Sequence, residues 1–159
     1  FLNTTDAQTA SATNFNSSSP TDSVINIGTN PATNASSGTH IAYCFHSVDG
    51  FSKVGSYVGN GSTDGTFVYT GFRPAWVMVK ATDLASQIWL VLDNKRDPDN
   101  VVRNDLNPND GTAETSNDRV DFLSNGFKWR NTYQNQNNSG TNYIYLAFAE
   151  NPFKYANAR

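Results

Sequence analysis

Turn-forming pairs punctuate the chain from residue 49 onward at intervals that suit short strands: Asp49-Gly50, Asn60-Gly61, Asp64-Gly65, Asp110-Gly111 and Asn125-Gly126. Among them lie short β-branched or aromatic runs at 41–45, 54–58, 66–70, 76–80, 88–92, 120–123, 127–130 and 143–148. Asn (21), Thr (16) and Ser (15) make up 52 of the 159 residues, while Ala, Leu, Glu, Lys and Met are thin, so almost no helix is expected. Eight short strands with this punctuation predict an all-β fold, a jelly-roll-like antiparallel β-sandwich.

One hairpin follows residue by residue. With Asn125-Gly126 as a two-residue loop, Ser124 faces Phe127, Phe122 faces Trp129 and Asp121 faces Arg130. Val120, Phe122, Phe127 and Trp129 then share the core face, and Asp121, Lys128 and Arg130 the other. Runs 76–79 and 88–92 do not alternate, which marks strands covered on both sides, either central in the fold or at a subunit interface.

A net charge of -3 offers no clustered Lys and Arg for a phosphate backbone, so nucleic acid is excluded as a partner. The longest apolar runs, 75–79 and 88–92, are far shorter than the roughly 20 residues a membrane-spanning helix needs. The single cysteine, Cys44, excludes an internal disulfide framework and reads as a small buried thiol. The chain opens on Phe1 without a signal-like segment and is expected to be either processed or a piece of a longer protein, the piece being favoured.

Residues 1–46 read as an extended arm or as the C-terminal part of a preceding repeat, with a last strand at about 40–46, and residues 47–159 as the sandwich. The repeat rests on an internal likeness. Ser37-Gly38-Thr39-His40-Ile41-Ala42-Tyr43-Cys44-Phe45 resembles Ser139-Gly140-Thr141-Asn142-Tyr143-Ile144-Tyr145-Leu146-Ala147-Phe148, with Asn142 as one inserted residue. Chance similarity between two short segments is the plainer alternative.

Five ordered motifs carry a wider resemblance. They are Gly55-Ser56-Tyr57-Val58-Gly59-Asn60-Gly61, Gly71-Phe72-Arg73-Pro74-Ala75-Trp76-Val77-Met78-Val79-Lys80, Asp93-Asn94-Lys95-Arg96, Asp121-Phe122-Leu123-Ser124-Asn125-Gly126-Phe127-Lys128, and 143–153. Together they resemble a domain of tail-fibre-like and other virion proteins of marine tailed bacteriophages, where it follows lectin-like jelly-roll modules. The resemblance implies a virion structural component, located on the extracellular particle, plausible as a fibre or surface adhesin, and it transfers no catalytic residue.

Acidic side chains cluster between Asp93 and Asp121 in what reads as one long loop. Asp97-Pro98-Asp99-Asn100 and Asn107-Pro108-Asn109-Asp110-Gly111 hold oxygen ligands of the kind Ca²⁺ takes, though without EF-hand spacing, and a solvated surface loop explains them as well. No other cofactor is expected. A glycan hydrolase would need two carboxylates on rigid strands, whereas Glu114 and Glu150 lie in a loop and at a strand end, so no enzymatic activity is expected. His40 and His46 are too far apart along one strand to share a metal. Among the aromatics, Tyr69, Trp129, Tyr133 and Tyr155 are candidates for stacking on sugar rings, while Trp76, Trp89 and Phe122 suit the core.

The expected ligand surface is therefore Asp97, Asp99, Asn107, Asn109, Asp110 and Tyr133, together with turns near Asn60 and Asn135. Expected partners are other virion proteins, a host-surface glycan and further copies of the chain in a homo-oligomer, a trimer by analogy with fibres. A capsid decoration or filament subunit with no receptor role, and a depolymerase, are the alternatives.

Overall fold

The computed structural model describes residues 4–153. They form two compact units, one of residues 8–44 and one of residues 45–153 joined by residues 4–7.

The smaller unit is held by backbone bonds rather than by a core. It has two single-turn helices, α1 (Ala12–Phe15) and α2 (Pro31–Asn34). Asn30 caps α2 by accepting from Ala32 N, and Pro31 takes the first helical position, where no N–H is needed. Gly28 N donates to Asn14 O at 2.9 Å, Asn30 N to Thr13 O at 3.0 Å and Asn34 Nδ2 to Gly28 O at 2.8 Å. A Cβ on Gly28 would collide with the Thr13 carbonyl, and Gly28 is the only buried residue of this unit.

The larger unit is all β. Its strands are β1 (Ser52–Val58), β2 (Phe67–Tyr69), β3 (Pro74–Ala81), β4 (Leu90–Asp93), β5 (Val102–Leu106), β6 (Thr115–Leu123), β7 (Gly126–Trp129) and β8 (Asn142–Ala149). All pairs are antiparallel, in one sheet of order β1-β8-β3-β4-β5-β6-β7-β2. The strands thus share one continuous ladder that curls round its own core, the nearly closed counterpart of the expected sandwich. Its two edges meet at one corner, where Thr66 Oγ1, just before β2, donates to Val58 O of β1 at 2.8 Å. Across the core, Tyr57 of β1 stacks on Tyr143 of β8 (5.0 Å between centroids) and meets Phe127 of β7 edge-on (6.2 Å). Val77, Val79, Leu90, Leu92, Val102, Val120, Phe122 and Trp129 are further members of the core.

Antiparallel succession sorts the loops into two sets. Loops β1–β2, β3–β4, β5–β6 and β7–β8 share one end of the sheet; loops β2–β3, β4–β5 and β6–β7 share the other, with the chain's entry to β1 and exit from β8.

The run at 41–45 is not a strand: it is exposed and outside every ladder. The free edge of β1 offers no ladder either, because the Ser47 hydroxyl holds both Val54 N (3.1 Å) and Val54 O (3.3 Å). Cys44 is accordingly exposed rather than buried. The stretch expected as one long loop contains β5 and the start of β6. Charged side chains hid β5, whose inward positions are Val102 and a buried aspartate, Asp105.

The β6–β7 turn lies at Ser124-Asn125, and Phe122 pairs with Phe127 rather than with Trp129. The slip is two residues, so the expected faces survive: Val120, Phe122, Phe127 and Trp129 are all fully buried. Gly126 serves packing, not the turn. It is absent from the glycines with positive φ, and a Cβ there would run into the Val68 carbonyl of β2. Run 76–79 belongs to β3 and residues 90–92 of the second run to β4, both inner strands of the sheet, while Ile88 and Trp89 precede β4. Trp76 faces outward onto Phe148 (5.6 Å) instead of into the core.

Candidate functional site

The loop end that carries the β5–β6 and β7–β8 connections is built on buried amides. Gln136 and Asn137 are fully buried, and Asn131 nearly so. Asn137 Nδ2 lies within hydrogen-bond reach of Asn131 O (2.8 Å), Ser62 O (2.9 Å) and Asn60 Oδ1 (3.1 Å), and Asn137 Oδ1 accepts from Asn60 N at 3.1 Å. One side chain thereby ties the β1–β2 loop to the β7–β8 loop. Gln136 Nε2 donates to Asn131 Oδ1 at 2.9 Å, and Asn131 Nδ2 to Asp118 O at 2.6 Å. From the core, Tyr57 Oη donates to Gln136 O (2.6 Å) and Tyr143 Oη to Gln134 O (2.7 Å). Burial pushes both phenols above the usual tyrosine range, so they stay protonated and keep donating.

Into this amide frame β5 and β6 send an ion pair. Arg119 Nη2 meets Asp105 Oδ2 at 2.7 Å, with both side chains buried. Asp105 Oδ1 accepts from Thr115 Oγ1 (2.6 Å) and Thr115 N (3.1 Å), and Arg119 Nη1 donates to Gln136 Oε1 at 3.2 Å. Both carboxylate oxygens are therefore satisfied, as a buried charge requires. The Arg119 guanidinium carbon lies 5.0 Å from the centroid of the Tyr133 ring, cation–π distance. Tyr133 remains 45% exposed. A fixed cation thus backs an aromatic ring whose remaining surface meets solvent.

The candidate residues divide between the two ends. Asn107, Asn109, Asp110 and Tyr133, with the turns at Asn60 and Asn135, share the amide end. Asp97 and Asp99 lie at the opposite end, on the far side of β5. The two oxygen-rich stretches therefore do not combine into one Ca²⁺ cage. Asp97 is instead occupied with starting β5: its carboxylate accepts from Arg103 N (2.7 Å), Asn104 N (2.6 Å) and Asn104 Nδ2 (3.0 Å). Asn109 Oδ1 accepts from Trp89 N at 2.8 Å and its Nδ2 donates to Thr4 O at 3.1 Å, while Asp110 closes a turn onto Thr112 N. Asp99 is exposed.

Glu114 and Glu150 are likewise engaged in separate ion pairs. Glu114 pairs with Arg96 (2.8 Å) and Glu150 with Arg73 (2.9 Å). His40 Nε2 accepts from Ala35 N at 3.1 Å, and His46 Nδ1 lies 3.0 Å from Ser47 O. Of the rings named for sugar stacking, Trp129 is fully buried, Tyr69 and Tyr133 are exposed, and Tyr155 lies outside the described residues. Sequence reasoning missed Asp105, Arg119, Asn131, Gln136 and Asn137. The signal that marks the first two is a pair of opposite charges beside the inward valines Val102 and Val120 on neighbouring strands.

Among the described residues no helix is long and apolar enough to cross a membrane. No curated protein and no solved structure matches the chain. The match that does exist runs over residues 1–152, across both units, and it places the chain in the family described as a domain of unknown function, DUF7483.

Proposed function

We propose that the chain is a non-catalytic β-domain of a bacteriophage virion protein, part of a fibre or adhesin that touches host-surface glycan through the amide end. The observation that carries the reading is Tyr133, an exposed ring backed by a buried Arg119 that is ion-paired to Asp105. An aromatic face beside amide and hydroxyl groups suits a hydroxyl-rich ligand, and a rigid backing lowers the entropy lost on binding. The five sequence motifs supply the virion context. Linking several copies would turn weak single sites into useful avidity.

The test is titration of polysaccharide extracted from host cells into the full chain and into Tyr133→Ala. Wild-type binding that falls at least about tenfold in the variant, with thermal stability nearly unchanged, is the expected result. Equal binding by the two proteins would remove Tyr133 from the site. No binding by either would favour a decoration or filament role, and shortening of the polysaccharide would make the protein a depolymerase.

A further inference from the structure

The five turn pairs Asp49-Gly50, Asn60-Gly61, Asp64-Gly65, Asp110-Gly111 and Asn125-Gly126 carry a chemistry of their own. In such a pair the glycine nitrogen attacks the side-chain carbonyl carbon of the residue before it and closes a five-membered imide, because glycine has no side chain to obstruct the approach. Closure needs a free glycine N–H and a backbone able to turn. A held pair therefore reacts only through local opening.

Four of the five are held. Gly61 N donates to Asn137 O at 2.9 Å and Gly65 N to Trp129 O at 3.0 Å. Gly126 lies inside the β6–β7 ladder opposite Leu123, crowded by the Val68 carbonyl. Asp49-Gly50 sits in a turn closed by Phe51 N on Val48 O (3.0 Å) and fastened by Phe153 N on Gly50 O (2.9 Å). Asp110-Gly111 differs, since residues 110–114 are exposed and outside every strand. Among the described residues the Gly111 N–H has no hydrogen-bond partner, and no atom lies within 4 Å of the place a Cβ would take there. Asp110 itself is positioned: its N donates to Asn107 O at 3.0 Å, and its Oδ1 accepts from Thr112 N at 3.2 Å, which turns the carboxyl toward the Gly111 peptide.

We propose that Asp110 is the residue at which the folded chain converts to isoaspartate. The Gly111 nitrogen bonds to Cγ of the protonated carboxyl, its proton and the carboxyl hydroxyl leave as water, and a succinimide forms. Water then adds to the former main-chain carbonyl and breaks its bond to the Gly111 nitrogen. The main chain now runs through Cγ, one methylene longer, with a free α-carboxylate. Mass and charge are unchanged, and water is the only other reactant. The change falls beside Asn109, whose side chain holds both Trp89 N and Thr4 O.

The test is prolonged incubation of the full chain in mildly acidic buffer, folded and in concentrated urea, continued until the urea sample contains isoaspartate. An isoaspartyl methyltransferase with labelled S-adenosylmethionine marks the product, and peptide mapping locates it. The ratio of folded to urea rate should be close to unity at Asp110 and at or below about one-fifth at the other four pairs, the effect of one hydrogen bond that must open first. Gly111→Ala has open space to occupy, so it should slow conversion at Asp110 severalfold with the unfolding midpoint unchanged. A ratio at Asp110 as low as at the held pairs overturns the proposal, as does isoaspartate forming first at another pair of the folded chain. Conversion at an unchanged rate in Gly111→Ala would overturn the attack by that nitrogen.

Discussion

The two ends of the sheet are closed by different chemistry. At the amide end, a buried ion pair, Asp105–Arg119, lies in a frame of Asn131, Gln136 and Asn137, all nine-tenths or more buried. At the other end, Arg73 and Glu150 pair at 2.9 Å with about a third of each side chain in water, and Arg96 joins Asp93 at 2.7 Å near the surface. Loops that cross a core need every polar atom paired, since an unpaired buried group costs far more than a made bond returns. Loops at a wet end need little of this. The first end is therefore the one where losing a single polar partner should cost most.

The sharpest way to break this comparison is Asp105→Ala. Removing one partner of a buried ion pair strands the other, a loss of about 3–5 kcal/mol. Urea unfolding should show it as a large fall in the midpoint. A loss below about 1 kcal/mol, the range of surface pairs, would mean that water reaches Arg119 and that the two ends are alike.

Asn137→Ala comes next. It removes the side chain that ties two loops, and leaves Asn60 N and Asn131 O without their amide partner. A loss of about 1–3 kcal/mol is expected. Hydrogen exchange should rise in both the β1–β2 and β7–β8 loops; a rise confined to one would show that Asn137 does not couple them.

The sequence made one of these ends easier to read than the other. The β6–β7 hairpin was legible because Val120, Phe122, Phe127 and Trp129 alternate cleanly, and faces survived even a two-residue error in register. The turn itself was misplaced because Asn-Gly reads as a hairpin loop, whereas Gly126 is required for the close approach of β2. The oxygen-rich stretch looked like one loop because Arg103, Asn104 and Asp105 interrupt the apolar pattern of β5. Their partners, Asp97, Asp118 and Arg119, lie up to 15 residues away in sequence, and local periodicity carries no sign of them. Tyr133 was singled out by type alone; the Arg119 guanidinium behind it is a tertiary fact. The 41–45 segment was read as a strand from its apolar run, and it is none: it is exposed and outside every ladder.

Changes of pH probe both ends of the sheet. At the amide end, burial raises Tyr57 and Tyr143 above their ordinary value of 10.0. A group raised in the folded state lends stability that is full below its unfolded value and is lost as pH rises through the folded one. Stability should therefore fall above about pH 10, with tyrosinate absorbance appearing together with unfolding. Ionisation of these phenols in a chain that stays folded would show an open core.

At the other end Asp93 supplies the acid counterpart. Burial by itself would raise its carboxyl, but the N–H groups of Arg96 and Lys95 and the Arg96 guanidinium outweigh it and hold the group below 3.8. A lowered carboxylate lends stability that is present above its unfolded value and is lost as pH falls through the folded one, so this loss begins below about pH 4.

The smallest expected effect is at Arg73–Glu150, and it tests whether that end is as wet as its exposure implies. Glu150 also accepts from Asn94 Nδ2 at 2.6 Å, so Glu150→Gln keeps the shape of the contact while removing its charge. For a pair this exposed, screening leaves about 0–1 kcal/mol. A double-mutant cycle with Arg73→Met isolates the pairwise part, because Arg73 Nη1 donates separately to Phe122 O and that bond cancels around the cycle. The coupling should shrink further in 1 M salt, where the screening length falls to about 3 Å. Coupling well above 1 kcal/mol that ignores salt would mean the pair is shielded from solvent, and the contrast between the two ends would then rest on amides alone.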